Sequence, residues 1–147
     1  MKKILFLFLL FAFTVSCKPS IDAMKKDIVG FELPYLPTKN NAVVYIVRPS
    51  YLGFLVKFDV SLDNKPVGYT RGSQHIYFDV TPGKHTISSR AEDIARYTID
   101  AKIGDVIFVH QDPAMGGAYA RNNLEAIDNI EGKYYVKNTK LGTIINK

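Results

Sequence analysis

The chain has no tryptophan and a single cysteine among its 147 residues. One cysteine cannot build a disulfide framework, so any core must come from packing. The missing tryptophan removes a common sugar-stacking residue, although nine tyrosines remain. No stretch reaches the roughly 20 apolar residues that cross a bilayer as a helix. The formal charge of +5 is scattered among acidic residues without a basic block, which argues against a nucleic-acid partner. Catalytic signatures are missing as well. There is no G-x-S-x-G elbow, no H-E-x-x-H helix, no phosphate-cradling glycine loop and no paired-carboxylate motif. Gly116-Gly117 is a bare glycine pair. A cofactor-free protein that is not an enzyme is the expectation.

What is present at the N-terminus is a sorting pattern. Lys2 and Lys3 precede an unbroken apolar run from Ile4 to Phe13, and Thr14-Val15-Ser16 lead into Cys17. A charged start, a short apolar core and a small residue before the cut describe a secretory signal peptide. Ser16 before Cys17 resembles the bacterial lipobox. That resemblance implies lipid on the Cys17 sulfur and on its new amino group. Two or three acyl chains hold a protein stably to a membrane, at roughly 0.8 kcal/mol per buried methylene. Lys18, rather than Asp, follows the cysteine, which by the same resemblance implies the outer membrane over the inner. Losing Lys2 and Lys3 leaves 17 basic against 14 acidic residues, a mild +3.

The rest divides by pattern. Residues 1–16 are the signal, 17–41 the lipidated cysteine and a tether, 42–141 a folded domain, and 142–147 a tail. Pro19, Pro34 and Pro37 interrupt the tether, with a short amphipathic turn around Ile21 to Ile28. Phe31, Leu33, Tyr35 and Leu36 offer an alternative, packing onto the domain as an edge segment. From Ala42 the period becomes two. Val43 to Val47 is apolar on both faces, as a central strand requires. Val56, Phe58, Val60 and Leu62 alternate with polar residues, and Asp63-Asn64-Lys65 turns the chain. Pro66 to Thr70 returns as a strand. Ile76, Phe78 and Val80 alternate next, and Thr81-Pro82-Gly83 is read as the turn of a hairpin into His85 to Ser88. Further strands are expected over Tyr97 to Ala101, Val106 to His110 and Tyr119 to Ile127, with a loop over Asp112 to Gly117. Residues 131–140 fit a strand or a short helix. Strands at this spacing predict an all-β fold, a small antiparallel Ig-like sandwich with room for one short C-terminal helix.

Three stretches carry a family resemblance. They are Ala42 to Ser50, ending in Arg48-Pro49-Ser50; Val60 to Gly68; and Phe78 to Ile87 with its Pro-Gly-Lys-His-Thr turn. Ile99 to Gly104 continues the order. Together they resemble the bacterial family known as domain of unknown function 2846, and the turn resembles small surface sandwiches named for a Pro-Glu-Gly-Ala motif. The resemblance implies a lipoprotein or secreted sandwich and supplies no reaction.

Candidate sites are few. In the expected hairpin, His75 and His85 lie about five pairs apart, on the order of 17 Å, too far to share a metal ion. No metal site is therefore expected. His110 and Asp112, with Arg121, are the place where an accessory or hydrolytic enzyme site would form if one existed. Ser50 to Leu55 stands out more, because a connection is usually polar and this one holds Tyr51, Leu52, Phe54 and Leu55. These four are the candidate binding residues. They either plug the sandwich end or contact an envelope protein, a glycan or the membrane. If that segment is helical, Lys133, Lys137 and Lys140 share one face, read as solvated, with an anionic-polymer contact as the alternative. The function expected is a non-catalytic binding or structural module of the cell envelope.

Overall fold

The computed structural model describes residues 18–116 and 119–145, so the lipidation reading at Cys17 lies outside the described residues. The elements run α1 (Ile21–Asp27), β1 (Ala42–Arg48), β2 (Phe58–Leu62), β3 (Lys65–Thr70), β4 (Gln74–Val80), β5 (Gly83–Arg90), β6 (Ile94–Ala101), β7 (Val106–Gly116), β8 (Tyr119–Ile127), α2 (Asn129–Lys137), β9 (Lys140–Leu141) and β10 (Thr143–Ile144). Two five-stranded sheets face each other, in the orders β8-β7-β1-β4-β9 and β10-β3-β2-β5-β6. The small β-sandwich expected from the alternation is the fold found.

Its first sheet is mixed, not purely antiparallel. β1 pairs antiparallel with β4 but parallel with β7, and β9 runs parallel to β4. β1 is buried along its whole length because both faces are covered. Val44 and Ile46 point into the sandwich, against Val60, Ile76, Ile87 and Val109. Val43, Tyr45 and Val47 point the other way, into a second core with Phe108 and Val136. Residues apolar on both faces thus mark the strand with a layer on each side.

That outer layer comes from the chain's two ends. Residues 129–137 resolve the strand-or-helix ambiguity as a helix, capped by the Asp128 carboxylate accepting from the N–H of Ile130 and Glu131. Gly132 lets α2 sit directly on the Phe108 ring; a Cβ there would lie 2.1 Å from Phe108 Cγ. The stretch read as a tether contains α1, whose Met24 is fully buried, and Phe31, Leu33 and Tyr35 pack on the second core. The packed alternative is observed for Phe31, Leu33 and Tyr35, over the outer face of the first sheet and not as an edge segment, while Leu36 stays exposed. Lys137, the last helical lysine, pairs with Asp27 and joins α2 to α1. Asn138 and Lys137 together hold the Asp27 carboxyl below its usual range.

Three local expectations are corrected. Thr81-Pro82-Gly83 does not close a hairpin: β4 belongs to one sheet, and β5 pairs with β2 and β6 in the other. The turn carries the chain across the sandwich, which buries the apolar faces of both strands. Residues 112–116 are not a loop but the end of β7, paired with β8. Within the C-terminal tail, Thr143 and Ile144 pair with Tyr69 and Gly68 as the edge of the second sheet. A buried polar chain also links the two sheets. Thr70 Oγ1 donates to Gln111 Oε1, Gln111 Nε2 donates to Ser89 Oγ at 2.6 Å, and Asn122 Nδ2 donates to the Ser89 carbonyl at 2.7 Å.

Among the described residues, no helix is long and apolar enough to cross a membrane.

Candidate functional site

The loop after β1 is apolar and solvent-facing. Tyr51, Leu52, Phe54 and Leu55 are all exposed, Leu55 to 75%. An exposed apolar loop would collapse unless something held its backbone. Arg48 does so. Its side chain is fully buried. Nη1 donates to the Val56 carbonyl at 2.8 Å, and Nη2 donates to the carbonyls of Leu52 and Gly53 at 3.0 and 2.9 Å. The guanidinium also lies 3.9 Å from the Phe58 ring centroid, a cation–π contact. Burial lowers its pKa from the ordinary arginine value. Gly53 adopts φ +60°, a conformation open to glycine. Ser50 Oγ accepts from Leu52 N–H, and the Ser50 carbonyl accepts from Ser73 N–H. Gly72 lies so close to Phe54 that a Cβ would come within 2.8 Å of it. The Arg48-Pro49-Ser50 signature is thereby explained: it builds the base on which four apolar side chains stand.

His110, Asp112 and Arg121 share the outer face of the β7–β8 pair, since Gln111, Asn122 and Leu124 point inward. His110 Nδ1 lies 3.2 Å from Glu125 Oε1, and the ring stacks on Tyr135 at 5.6 Å between centroids. Arg121 stands opposite Ala114, one diagonal step from Asp112. The strand alternation brings the three to one face. Among the described residues, no three His, Cys, Asp or Glu side chains are grouped to hold a metal ion.

The other two histidines separate because their strands lie in different sheets. His75 is buried beside Tyr45. Its Nδ1 meets Thr139 Oγ1 at 2.9 Å; that hydroxyl donates to the Tyr135 carbonyl, so the ring donates to it. Burial pushes the His75 pKa down from 6.5 to about 4. The unfolded chain therefore takes up a proton first as pH falls. Stability from this group is complete above about pH 6.5 and drains away towards pH 4, by roughly 3 kcal/mol in all. Unfolding free energies from urea titration at pH 7.5 and 4.5 are expected to differ by most of that amount, and His75→Gln is expected to remove most of the difference.

His85 belongs to a cleft that sequence reading missed. An opening of about 620 Å³ lies between the two sheets at the β3 and β4 edges. Leu62, Val67, Phe78, Val80 and Ile144 give it an apolar interior. At its rim, His85 Nδ1 lies 2.6 Å from Asp63 Oδ2, while Asp63 Oδ1 accepts from Thr86 N–H at 2.8 Å. The Thr86 N–H, then His85, hold the Asp63 carboxyl below its usual range. Asp63 and Asn64 adopt positive φ, as expected of that turn. Tyr35 stacks on Tyr77 and donates to Asp79 Oδ2 at 2.7 Å. These residues are scattered in sequence, and only the inter-sheet turn at Thr81 to Gly83 hints that they converge.

Comparison with known proteins adds the family. The model of a family described as protein of unknown function (DUF2846) matches residues 38–124. The chain belongs to that family. An uncharacterized protein of Haemophilus influenzae (strain ATCC 51907 / DSM 11121 / KW20 / Rd) is 31% identical over 98 residues, covering 66% of this chain and 58% of that protein. The chain thus spans less than two thirds of that relative's length. The DUF2846 match includes Arg48 with its loop, Asp63, His85, His110, Asp112 and Arg121, but not Glu125 or Tyr135. α2, β9 and β10 lie beyond it.

Proposed function

We propose that this DUF2846 protein is a lipid-anchored module of the cell envelope, held at Cys17, whose Tyr51–Leu55 loop engages a partner without catalysis. The observation that carries this reading is the pairing of exposure with rigidity. Four apolar side chains face solvent on a backbone fixed by one buried arginine. Solvent-facing apolar groups concentrated at one spot are characteristic of contact surfaces, and a fixed backbone lowers the ordering cost of binding. The signal-like residues 1–16 and the lone cysteine support the envelope location, with the outer membrane preferred.

Two measurements test it. Radiolabelled palmitate is expected to enter the intact protein and to be lost in Cys17→Ser, which should move to the aqueous fraction. A photo-crosslinker placed at Leu55 in the native envelope is expected to join one defined envelope component. The Tyr51→Ala/Phe54→Ala double variant should abolish that adduct while its unfolding free energy stays within about 1 kcal/mol of the parent. An unchanged adduct would remove the loop from the account.

A further inference from the structure

We infer that the cleft between β3 and β4 is a receptor for an extended peptide strand, which adds to the bare edge of β4 at Tyr77 and Asp79. This rests on neither the loop reading nor the lipid anchor.

In an antiparallel ladder, the N–H and C=O of one residue point to the same side, and those of the next residue to the other. The carbonyls of Ser73 and His75 accept from Lys140 N–H and Gly142 N–H, so those residues face β9 and not β1. By the same alternation, Tyr77 and Asp79 also face away from β1. The β1 side agrees: Val43 N–H donates to the Asp105 carbonyl, so Val43 and Tyr45 turn towards β7. Tyr45 stands opposite Tyr77 with neither backbone directed at the other.

β9, however, covers β4 only at Gln74 and His75. At Gly142 the chain leaves for the other sheet, where β10 pairs with β3. Beyond His75 the outward N–H and C=O of Tyr77 and Asp79 meet no strand among the described residues. The Asp79 carboxylate beside them keeps Oδ1 without a hydrogen-bond partner. Unpaired edges of this kind are templates for another strand. The facing β3 edge is blunted differently: Ile145 N–H already donates to the Val67 carbonyl, and Pro66 has no N–H to give.

A guest strand placed in line with β9 would alternate its side chains. One set enters the apolar cleft among Leu62, Val67, Phe78, Val80 and Ile144, and the other lies by Tyr35 and Tyr77. The cleft's 620 Å³ suits a few aliphatic side chains. The open row of backbone donors and acceptors selects a peptide over a plain acyl chain, which could fill the cleft but not satisfy the edge.

The probe is a pool of capped peptides in which Val, Ile, Leu or Phe alternates with Thr between terminal lysines. Saturable binding is expected at or below about 1 mM. In the free protein the Tyr77 and Asp79 amides should exchange with solvent faster than those of Ile76, Phe78 and Val80. Bound peptide should slow the first two at least about tenfold. Peptides N-methylated along one edge should lose binding when that edge faces β4. Tyr77→Pro should weaken binding about tenfold, the worth of one hydrogen bond, whereas Tyr77→Ala, which keeps the N–H, should still bind. The proposal fails if no peptide in the pool binds, if binding leaves both amides unprotected, or if N-methylation weakens binding on neither edge. It also fails if decanoate occupies the cleft and the peptides cannot displace it.

Discussion

Replacing Arg48 with methionine is expected to cost on the order of 4 kcal/mol and to release the loop it supports. Methionine fills a similar volume, so the loss isolates the hydrogen bonds and the charge. The carbonyls of Leu52, Gly53 and Val56 would lose their donor together, and Phe58 would lose the cation over its ring. Hydrogen bonds to a charged group are each worth about 1.5–3 kcal/mol. Part of that is recovered when the freed carbonyls turn to water, since the loop is already at the surface. Urea unfolding measures the stability term. Chymotrypsin measures the local one, because Tyr51 and Phe54 become cleavable once their backbone is free. Arg48→Lys should restore less than half, since an ammonium cannot reach three carbonyls with a planar fork. A methionine variant that unfolds within about 0.5 kcal/mol of the parent and stays uncut would show that the loop holds itself.

Gly132→Ala is the second large effect, and the smallest chemical change. In a free helix the substitution would be stabilising by about 1 kcal/mol. Here the new methyl carbon would lie 2.1, 2.4 and 2.6 Å from three atoms of the Phe108 ring. Phe108 is buried and stacked on Tyr45 at 5.4 Å between centroids, so the ring has no vacant space behind it. Tyr45 is itself fixed: its hydroxyl donates to the Tyr35 carbonyl at 2.6 Å and accepts from Tyr35 N–H at 3.0 Å. Burial pushes the Tyr45 pKa up to about 12, which keeps that hydroxyl a donor. The helix must therefore lift from the sheet. Overpacking of this severity is expected to cost on the order of 4 kcal/mol. For a chain of this size that lowers the melting midpoint by roughly 10 °C or more. Phe108→Leu in the same chain should recover part of the loss, which distinguishes crowding from a helix effect. No fall in melting midpoint would mean that α2 does not rest on Phe108.

Much of this architecture was legible in the residues. Val43 to Val47 announced a strand covered on both faces, and Val56 to Leu62 announced one covered on a single face, which begins at Phe58. The turn at Asp63-Asn64 followed from their tolerance of positive φ. What alternation cannot say is which strand lies beside which. Thr81-Pro82-Gly83 reads equally well as a hairpin turn and as a crossing between sheets, and it is a crossing. The same blindness hid the cleft, because Asp63, His85, Tyr35 and Asp79 meet only once the sheets are assigned. Asp112 to Gly117 read as a loop; β7 nonetheless continues to Gly116, paired with β8. Tyr51, Leu52, Phe54 and Leu55 were conspicuous in the sequence. The arginine beneath them was conspicuous only as a family-like signature, since nothing in a sequence marks a cation as buried.

The placement of β1 bears on how the molecule comes into being. Its neighbours in the sheet begin at Gln74 and Val106, and its outer cover includes Val136. The greasiest strand of the domain is thus made early and sheltered late. Closing such distant segments is slow compared with local hairpins, so maturation belongs to the millisecond-to-second range of non-local β topologies. A polypeptide emerging amino end first leaves Ala42 to Val47 unaccompanied until most of the remaining chain has followed. During that wait the segment is the part of the molecule most in need of a holding chaperone.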